Sequence, residues 1–557
     1  MSASRIIRPS ALRTAGLDRR TLLLGGAAGG LAACAGGVGF GGRGDPTLVS
    51  TRQGMLRGVE MDDGVLEFRG VRYAAPPTGA GRFQGPRPPE SWSGERPALL
   101  DGEAAVQMRA GAGAAAYPPL VQAAMSEAFA APENVSSDGD EDCLYLNVYT
   151  RQTGLSSGPL RPVMVWLHGG GFSYGQGTLN IYRGHNLARD HDVVSVGVNH
   201  RLNVFGYLGL DSAGVPGFEG SANAGMLDIV AALEWVQANI AQFGGDPNNV
   251  TVHGQSGGGA KVTTLLAMPA TQGLIHRAIV QSGAGLTSGT KEQAAETANA
   301  YLAELGLSHA NAAAEIPGLP RERLLEAAWE VGLRGFRPSI DDVHVTRHPF
   351  TPDAPAQAAN IPVMVGFTKD EQTLYNVGNP EWFETTEADV LAAAERSYPG
   401  RGQAIVDAFK AQFPDYAPHH LLMQVNGTIS SLRSSHTLAA RKSAQPAGVY
   451  AYVFAYDLPP QDFVLKAPHT AEIPYVMDNV ENAPLFAGDT AQDRAMGDLM
   501  SSVWVQFART GDPNVEGLPE WPRFNPDTRP TMFFSADSEV VENPYDEVWR
   551  LTQTGAA

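Results

Sequence analysis

Asn249-Val-Thr-Val-His253, then Gly254-Gln-Ser256-Gly-Gly258, then Gly259-Ala-Lys-Val-Thr-Thr-Leu-Leu-Ala-Met268, is the stretch from which the rest of the chain can be read. A short β-branched run, a serine between glycines and an apolar helical run spell strand, sharp turn and helix in that order. G-x-S-x-G at such a junction is the pattern of a nucleophile elbow, where small neighbours let a strained turn hold a serine exposed. The pattern alone is weak, because Gly154-Leu-Ser156-Ser-Gly158 and Gly171-Phe-Ser173-Tyr-Gly175 fit it too. Ser156 lies in a Gly/Ser/Pro turn ahead of a strand, and Ser173 runs on into Gly-rich loop. Context therefore selects Ser256 as candidate nucleophile, against the alternative of an ordinary Gly-rich turn.

Working outward, Pro162–Leu167, Asp192–Val198, Arg277–Gln281, Ile361–Val365 and Gly448–Phe454 also look like strands. Most are apolar throughout, as strands buried on both faces are, so an α/β fold with a mainly parallel sheet is expected. Asp228–Ile240 has the apolar spacing of a helix crossing back over that sheet. Two Ala- and Glu-rich stretches, roughly 290–335 and 385–445, look helical, interrupt the strand rhythm and are candidates for a lid. Directly after Leu167 comes His168-Gly-Gly-Gly171-Phe172, whose bare backbone N–H groups suit an oxyanion site for acyl transfer. Gly170, Gly171 and Gly257 are the candidate donors; the alternative is a flexible turn after a strand.

The order Ser, acid, His is expected for this kind of elbow. Of the histidines after Ser256, among them His309, His344, His348, His419, His420, His436 and His469, only His469 follows the strand 448–454, in a loop long enough to return over the sheet. His469 is the candidate base. His253 lies on the strand before the elbow and is expected to be structural. Asp370 and Glu371 both follow the strand 361–365, and position alone does not separate them as the acid that orients the base.

The first 33 residues hold five Arg against one Asp and an apolar stretch, Thr21–Ala33, too short for the roughly 20 residues of a membrane-spanning helix. They are expected to be an export signal. Arg19-Arg20 resembles a twin-arginine signal, and Leu31-Ala-Ala-Cys34 resembles a bacterial lipoprotein cleavage box, which would lipidate Cys34 and attach the exported protein to the cell envelope. Residues 34–46 read as a Gly-rich tether. The formal charge of −19 becomes −23 without the signal, which argues against a nucleic-acid partner. Two cysteines, Cys34 and Cys143, make no disulfide framework, and no Cys/His spacing suggests a metal.

From about residue 47 onward the chain resembles the type-B carboxylesterase/lipase family. The resemblance is carried by Phe68-Arg-Gly-Val-Arg-Tyr-Ala-Ala-Pro-Pro77, Glu141-Asp-Cys-Leu-Tyr-Leu-Asn147, the His168 and Ser256 motifs, Asn223-Ala-Gly-Met-Leu-Asp228, Phe243-Gly-Gly-Asp-Pro247 and Thr510-Gly-Asp-Pro-Asn514. It implies an α/β-hydrolase fold over 47–557 and hydrolysis of small-molecule carboxylic esters without a cofactor. It also implies a Ser256–His469–Glu371 triad, with Ser282 supporting the acid and the scaffold pairs Arg82–Glu141 and Arg201–Asp228. Gln372 after the acid and Gly257 after the nucleophile depart from the family pattern, which has small residues and alanine there. The family partner of Cys143 is replaced by Ala105, so Cys143 is expected to be a free, packed thiol with the loop 105–143 held by packing. No Trp lies between Ser93 and Leu146, where cholinesterases hold choline, so choline esters are not expected. The alternatives are a lipase or specialised ester hydrolase and, outside enzymes, a catalytically silent adhesion relative.

Overall fold

The computed structural model describes residues 45–108, 117–154, 158–460 and 464–553. The export signal, Cys34, most of the tether and Ser156 lie outside the described residues. Among the described residues three short strands, β1 (Leu48–Ser50), β2 (Met55–Arg57) and β5 (Glu95–Pro97), pair in a small sheet. The remaining eleven form the central sheet: β3 (Val59–Glu60), β4 (Leu66–Arg72), β6 (Tyr145–Thr150), β7 (Arg161–Leu167), β8 (Val194–Val198), β9 (Gly245–Gln255), β10 (Arg277–Gln281), β11 (Val363–Thr368), β12 (Val449–Phe454), β13 (Thr531–Phe534) and β14 (Glu539–Val541). Their order is β14-β13-β12-β11-β10-β9-β7-β8-β6-β4-β3. Pairing is parallel from β8 through β13 and antiparallel at both edges.

Strand alternation explains why the central runs are apolar throughout. In β7, Val163, Val165 and Leu167 enter one core while Met164 and Trp166 enter the other, and Ala278/Val280 against Ile279 repeats this in β10. The first core is covered by the helices Ala224–Asn239 and Gly257–Ala267, through Ile229, Leu233, Val262 and Leu265. The second is covered by the helix Ala491–Thr510, through Met500, Val503 and Trp504.

The stretch 290–335 forms helices Lys291–Leu305, His309–Glu315 and Arg321–Val331, whose Tyr301, Leu302 and Leu324 join the first core. The stretch 385–445 is not all insertion. Its last helix, Ile429–Ser443, lies on β11 and β12 and sends Leu438 and Ala439 into the sheet core. The scaffold pairs form as implied. Arg201 grips Asp228 at 2.6 and 2.8 Å, with both side chains buried, and Arg82 meets Glu141 at 2.5 and 2.7 Å.

Cys143 is a free, fully buried thiol whose pKa is pushed well above its ordinary value by burial. Its loop is held by more than packing: Asp140 N–H donates to Ala104 O (2.8 Å), Gln107 N–H to Asp138 O (3.1 Å), and Ala105 bridges Asp140. We expect a thiol reagent such as Ellman's to leave Cys143 untouched in the native protein and to modify it on unfolding. Equal rates in both states would contradict this burial.

Candidate active site

Four parallel strands deliver the site from their C-terminal ends. β7 ends at Leu167 and feeds His168–Gly171; β9 ends at Gln255 and feeds Ser256; β11 ends at Thr368 ahead of Glu371; β12 ends at Phe454 ahead of the loop bearing His469. Ligands of open α/β sheets gather at this edge.

Ser256 occupies φ 58°, ψ −122°, a strained conformation for a residue with a side chain. The flanking glycines are steric necessities. A Cβ on Gly258 would stand 2.0 Å from Leu167 O, and one on Gly254 2.6 Å from the same oxygen. Ser256 N–H donates to Gln281 O (2.8 Å), which ties the turn to β10. Among the described residues Ser256 Oγ has no hydrogen-bond partner.

His469 and Glu371 are brought together: Nδ1 of the buried imidazole is hydrogen-bonded to Glu371 Oε2. The other carboxylate oxygen accepts from Thr368 N–H at 3.0 Å. Burial alone would lower the histidine pKa, but the Glu371 carboxylate outweighs it, aided by Glu472, and raises it above 6.5. The far nitrogen, Nε2, lies 3.2 Å from the amide nitrogen of Gln255, the residue before Ser256. The ring of Tyr375 leans over the imidazole at 5.4 Å. Among the described residues Ser256 and His469 make no direct hydrogen bond, and the imidazole meets the elbow through Gln255; catalytic hydrogen bonds commonly tighten only when substrate binds.

Asp370 turns away from the imidazole. Fully buried, it accepts from Tyr416 Oη (2.9 Å), Gln424 Nε2 (2.7 Å) and Ala467 N–H (3.2 Å). The structure therefore separates two carboxylates that position in sequence does not. Ser282 does not support the acid as the resemblance implies. Among the described residues its Oγ is buried without a partner and its N–H donates to Gly366 O, while the second oxygen of Glu371 accepts from Thr368 N–H. Gln372 finds its room over Gly427, where a Cβ would meet Gln372 Cγ at 2.3 Å, within the π-helical turn Gln424–Thr428.

Gly170 (φ 82°) and Gly171 (φ 62°) adopt left-handed backbone, and the loop passes so close to the elbow that a Cβ on Gly257 would stand 2.1 Å from Gly171 O. Gly257 opens its helix, so its N–H has no acceptor there. The three candidate donors are neighbours.

Sequence reasoning missed two buried groups beside these. Glu472 lies beside the pair, its carboxyl pushed up to about 7 by burial and by Glu371, with Oε2 unpartnered among the described residues. Lys261 lies beneath the glycine loop; a lysine in an otherwise apolar helix was the signal for it. His253 is buried against Trp166 with neither nitrogen hydrogen-bonded among the described residues, a packing residue. Among the described residues no group of three or more His, Cys, Asp and Glu stands where it could hold a metal.

A serine elbow, a His–Glu pair and a glycine loop at one edge of a mainly parallel sheet define an α/β-hydrolase. The chain belongs to the carboxylesterase family, whose pattern it matches over residues 45–550, and is a carboxylic ester hydrolase. It is 33% identical to the para-nitrobenzyl esterase of Bacillus subtilis over 90% of this chain and 97% of that one. It is 30% identical to the human cocaine esterase over 83% and 82% of the two chains. A solved carboxylesterase of Geobacillus stearothermophilus superposes with a TM-score of 0.76 at 34% identity, covering 91% of this chain and all of the other.

Proposed function

We propose that the protein hydrolyses carboxylic esters through an acyl-enzyme on Ser256, with His469 as base and Glu371 as its orienting acid. Ser256 Oγ attacks the ester carbonyl and passes its proton to His469 Nε2. The oxyanion is received by the N–H groups of Gly170, Gly171 and Gly257. The C–O bond then breaks, the alcohol leaves with the proton from His469, and water releases the acid by the same steps in reverse. The observation that carries the reading is the Glu371–His469 pair, whose far nitrogen meets the side chain of Gln255, the residue that leads into the strained elbow. Export on the N-terminal signal, with a lipid on Cys34, belongs to the same proposal; the mass of the mature N-terminal peptide tests it.

The base acts only when neutral. Because the pKa of His469 is raised, kcat/KM for a short-chain aryl ester should climb with pH through a value above the ordinary 6.5. Glu371→Gln should move that limb to lower pH. A limb at or below 6.5 in the wild type, or one that Glu371→Gln leaves in place, would count against the pair. Labelling by an organophosphate, located by peptide mapping, should fall on Ser256; modification of Ser173 or Ser156 would sink the assignment.

A further inference from the structure

One charged side chain of the helix Gly257–Ala267 points into the interior. Lys261 is fully buried, and its Nζ donates to His168 O at 3.0 Å and Gly171 O at 2.9 Å, with the Phe172 ring centre 5.3 Å away. Two carbonyls and an aromatic face thus meet the three donors of the ammonium. Among the described residues no carboxylate pairs with it. Its basic neighbours are the stacked His168 and His200, rings 4.8 Å apart, both with pKa values lowered from that of an ordinary histidine by burial and by the lysine's charge. An unpaired buried ammonium is costly, and burial brings Lys261 down to about 7. Costs of that kind persist where the group performs a task.

The task is legible in the loop's peptide planes. In a trans peptide the C=O and the following N–H point in opposite directions, so fixing a carbonyl aims the next N–H. Gly169 O is held by His168 Nδ1 at 2.9 Å, and Gly170 O by the N–H groups of Ser173 and Tyr174, both at 3.2 Å. Those two planes carry the N–H groups of Gly170 and Gly171. The planes on either side end in His168 O and Gly171 O, the two that Lys261 holds. All four carbonyls are therefore anchored, the outer two by one side chain rooted in the nucleophile's own helix. The same clamp sets Gly171 O over Gly257, where a methyl would stand 2.1 Å from it.

We propose that Lys261 is a positioning residue for the oxyanion site, clamping the outer carbonyls of the glycine loop so that the Gly170, Gly171 and Gly257 N–H groups converge on one point. The proposal rests on the acyl-enzyme reading above. Its test compares wild type with Lys261→Met, which keeps the stem and removes the donors, and with Lys261→Gln, which can keep one carbonyl contact. The readouts are kcat and KM for an aryl ester and Ki for a trifluoromethyl ketone, whose hemiketal oxygen occupies the oxyanion position.

Lys261→Met should lower kcat about ten- to a hundred-fold, less than the 10²–10³ typical of deleting a donor outright. KM should stay within about three-fold, Ki should rise in parallel with the loss of kcat, and Lys261→Gln should fall between. Gly257→Ala should also lose activity by pushing the same carbonyl, and with Lys261→Met the losses should combine less than multiplicatively. A folded Lys261→Met with unchanged kcat and Ki overturns the proposal, as does a rise in KM alone, a fully multiplicative double mutant, or failure of both Lys261 variants to fold. A wild type that the ketone does not inhibit would instead overturn the acyl-enzyme reading itself.

Discussion

Ser256→Ala should lower kcat for a short-chain aryl ester by about 10⁶-fold, the scale seen when an acyl-transfer nucleophile is lost, and leave the fold intact. The expectation of unchanged stability comes from the elbow itself. Among the described residues Ser256 Oγ has no hydrogen-bond partner, so alanine orphans no buried group there, and the clashes that demand glycine lie at 254, 257 and 258 rather than 256. Alanine inherits the same φ of 58° and the same hydrogen bond from N–H to Gln281 O. Melting temperatures within a few degrees are the control. Ser256→Gly sharpens the comparison, since glycine relieves the positive φ: it should be equally inactive and slightly more stable, in keeping with strain maintained for function. Residual turnover above about one per cent of wild type in purified Ser256→Ala would mean that another group attacks the ester.

The elbow was legible because its chemistry and its sterics demand the same residues. Glycine at 254 and 258 is forced by Leu167 O, and the strand and helix on either side are long enough to show their periods. The central strands were legible because burial on both faces leaves an unbroken apolar run. The edges were not. β4 reads Leu-Glu-Phe-Arg-Gly-Val-Arg, half of it polar, with a register shift between Phe68 and Val71 where Gly70 takes φ 66°. β1, β2 and β5 are three residues each, the first two partly and the third wholly exposed, too short to show a period. Within the site, what escaped the sequence was long-range: Lys261 acquires its role from carbonyls about ninety residues upstream. Ser282 shows the converse, a residue whose motif is present while its hydroxyl finds no partner.

Glu371→Gln should lower kcat by about 10⁴-fold, whereas Asp370→Asn should cost stability and leave kcat within a few-fold. Two adjacent carboxylates, both nearly inaccessible, differ in what they face. Glu371 Oε2 meets His469 Nδ1; a glutamine there offers either a carbonyl, which cannot stabilise the imidazolium, or an NH₂, which forces the wrong tautomer. With the tautomer reversed, Nε2 carries the proton and cannot take one from Ser256. Asp370 instead pins three segments together: Tyr416 and Gln424 from the helical stretch, and Ala467 from the loop that bears His469. Burial pushes its carboxyl up to about 6, against the pull of Lys369. Asparagine in that nest keeps one acceptor and turns an NH₂ toward another donor, a loss of about 1–3 kcal/mol. It should appear as a lower melting temperature, with the acid limb of kcat/KM still where the Glu371–His469 pair puts it. Measuring kcat, melting temperature and that limb on both variants separates the two carboxylates, because orienting the base and pinning its loop move different readouts. If Asp370→Asn instead abolished turnover at an unchanged melting temperature while Glu371→Gln stayed active, the roles would be exchanged and His469 would have to swing away from Glu371 to react.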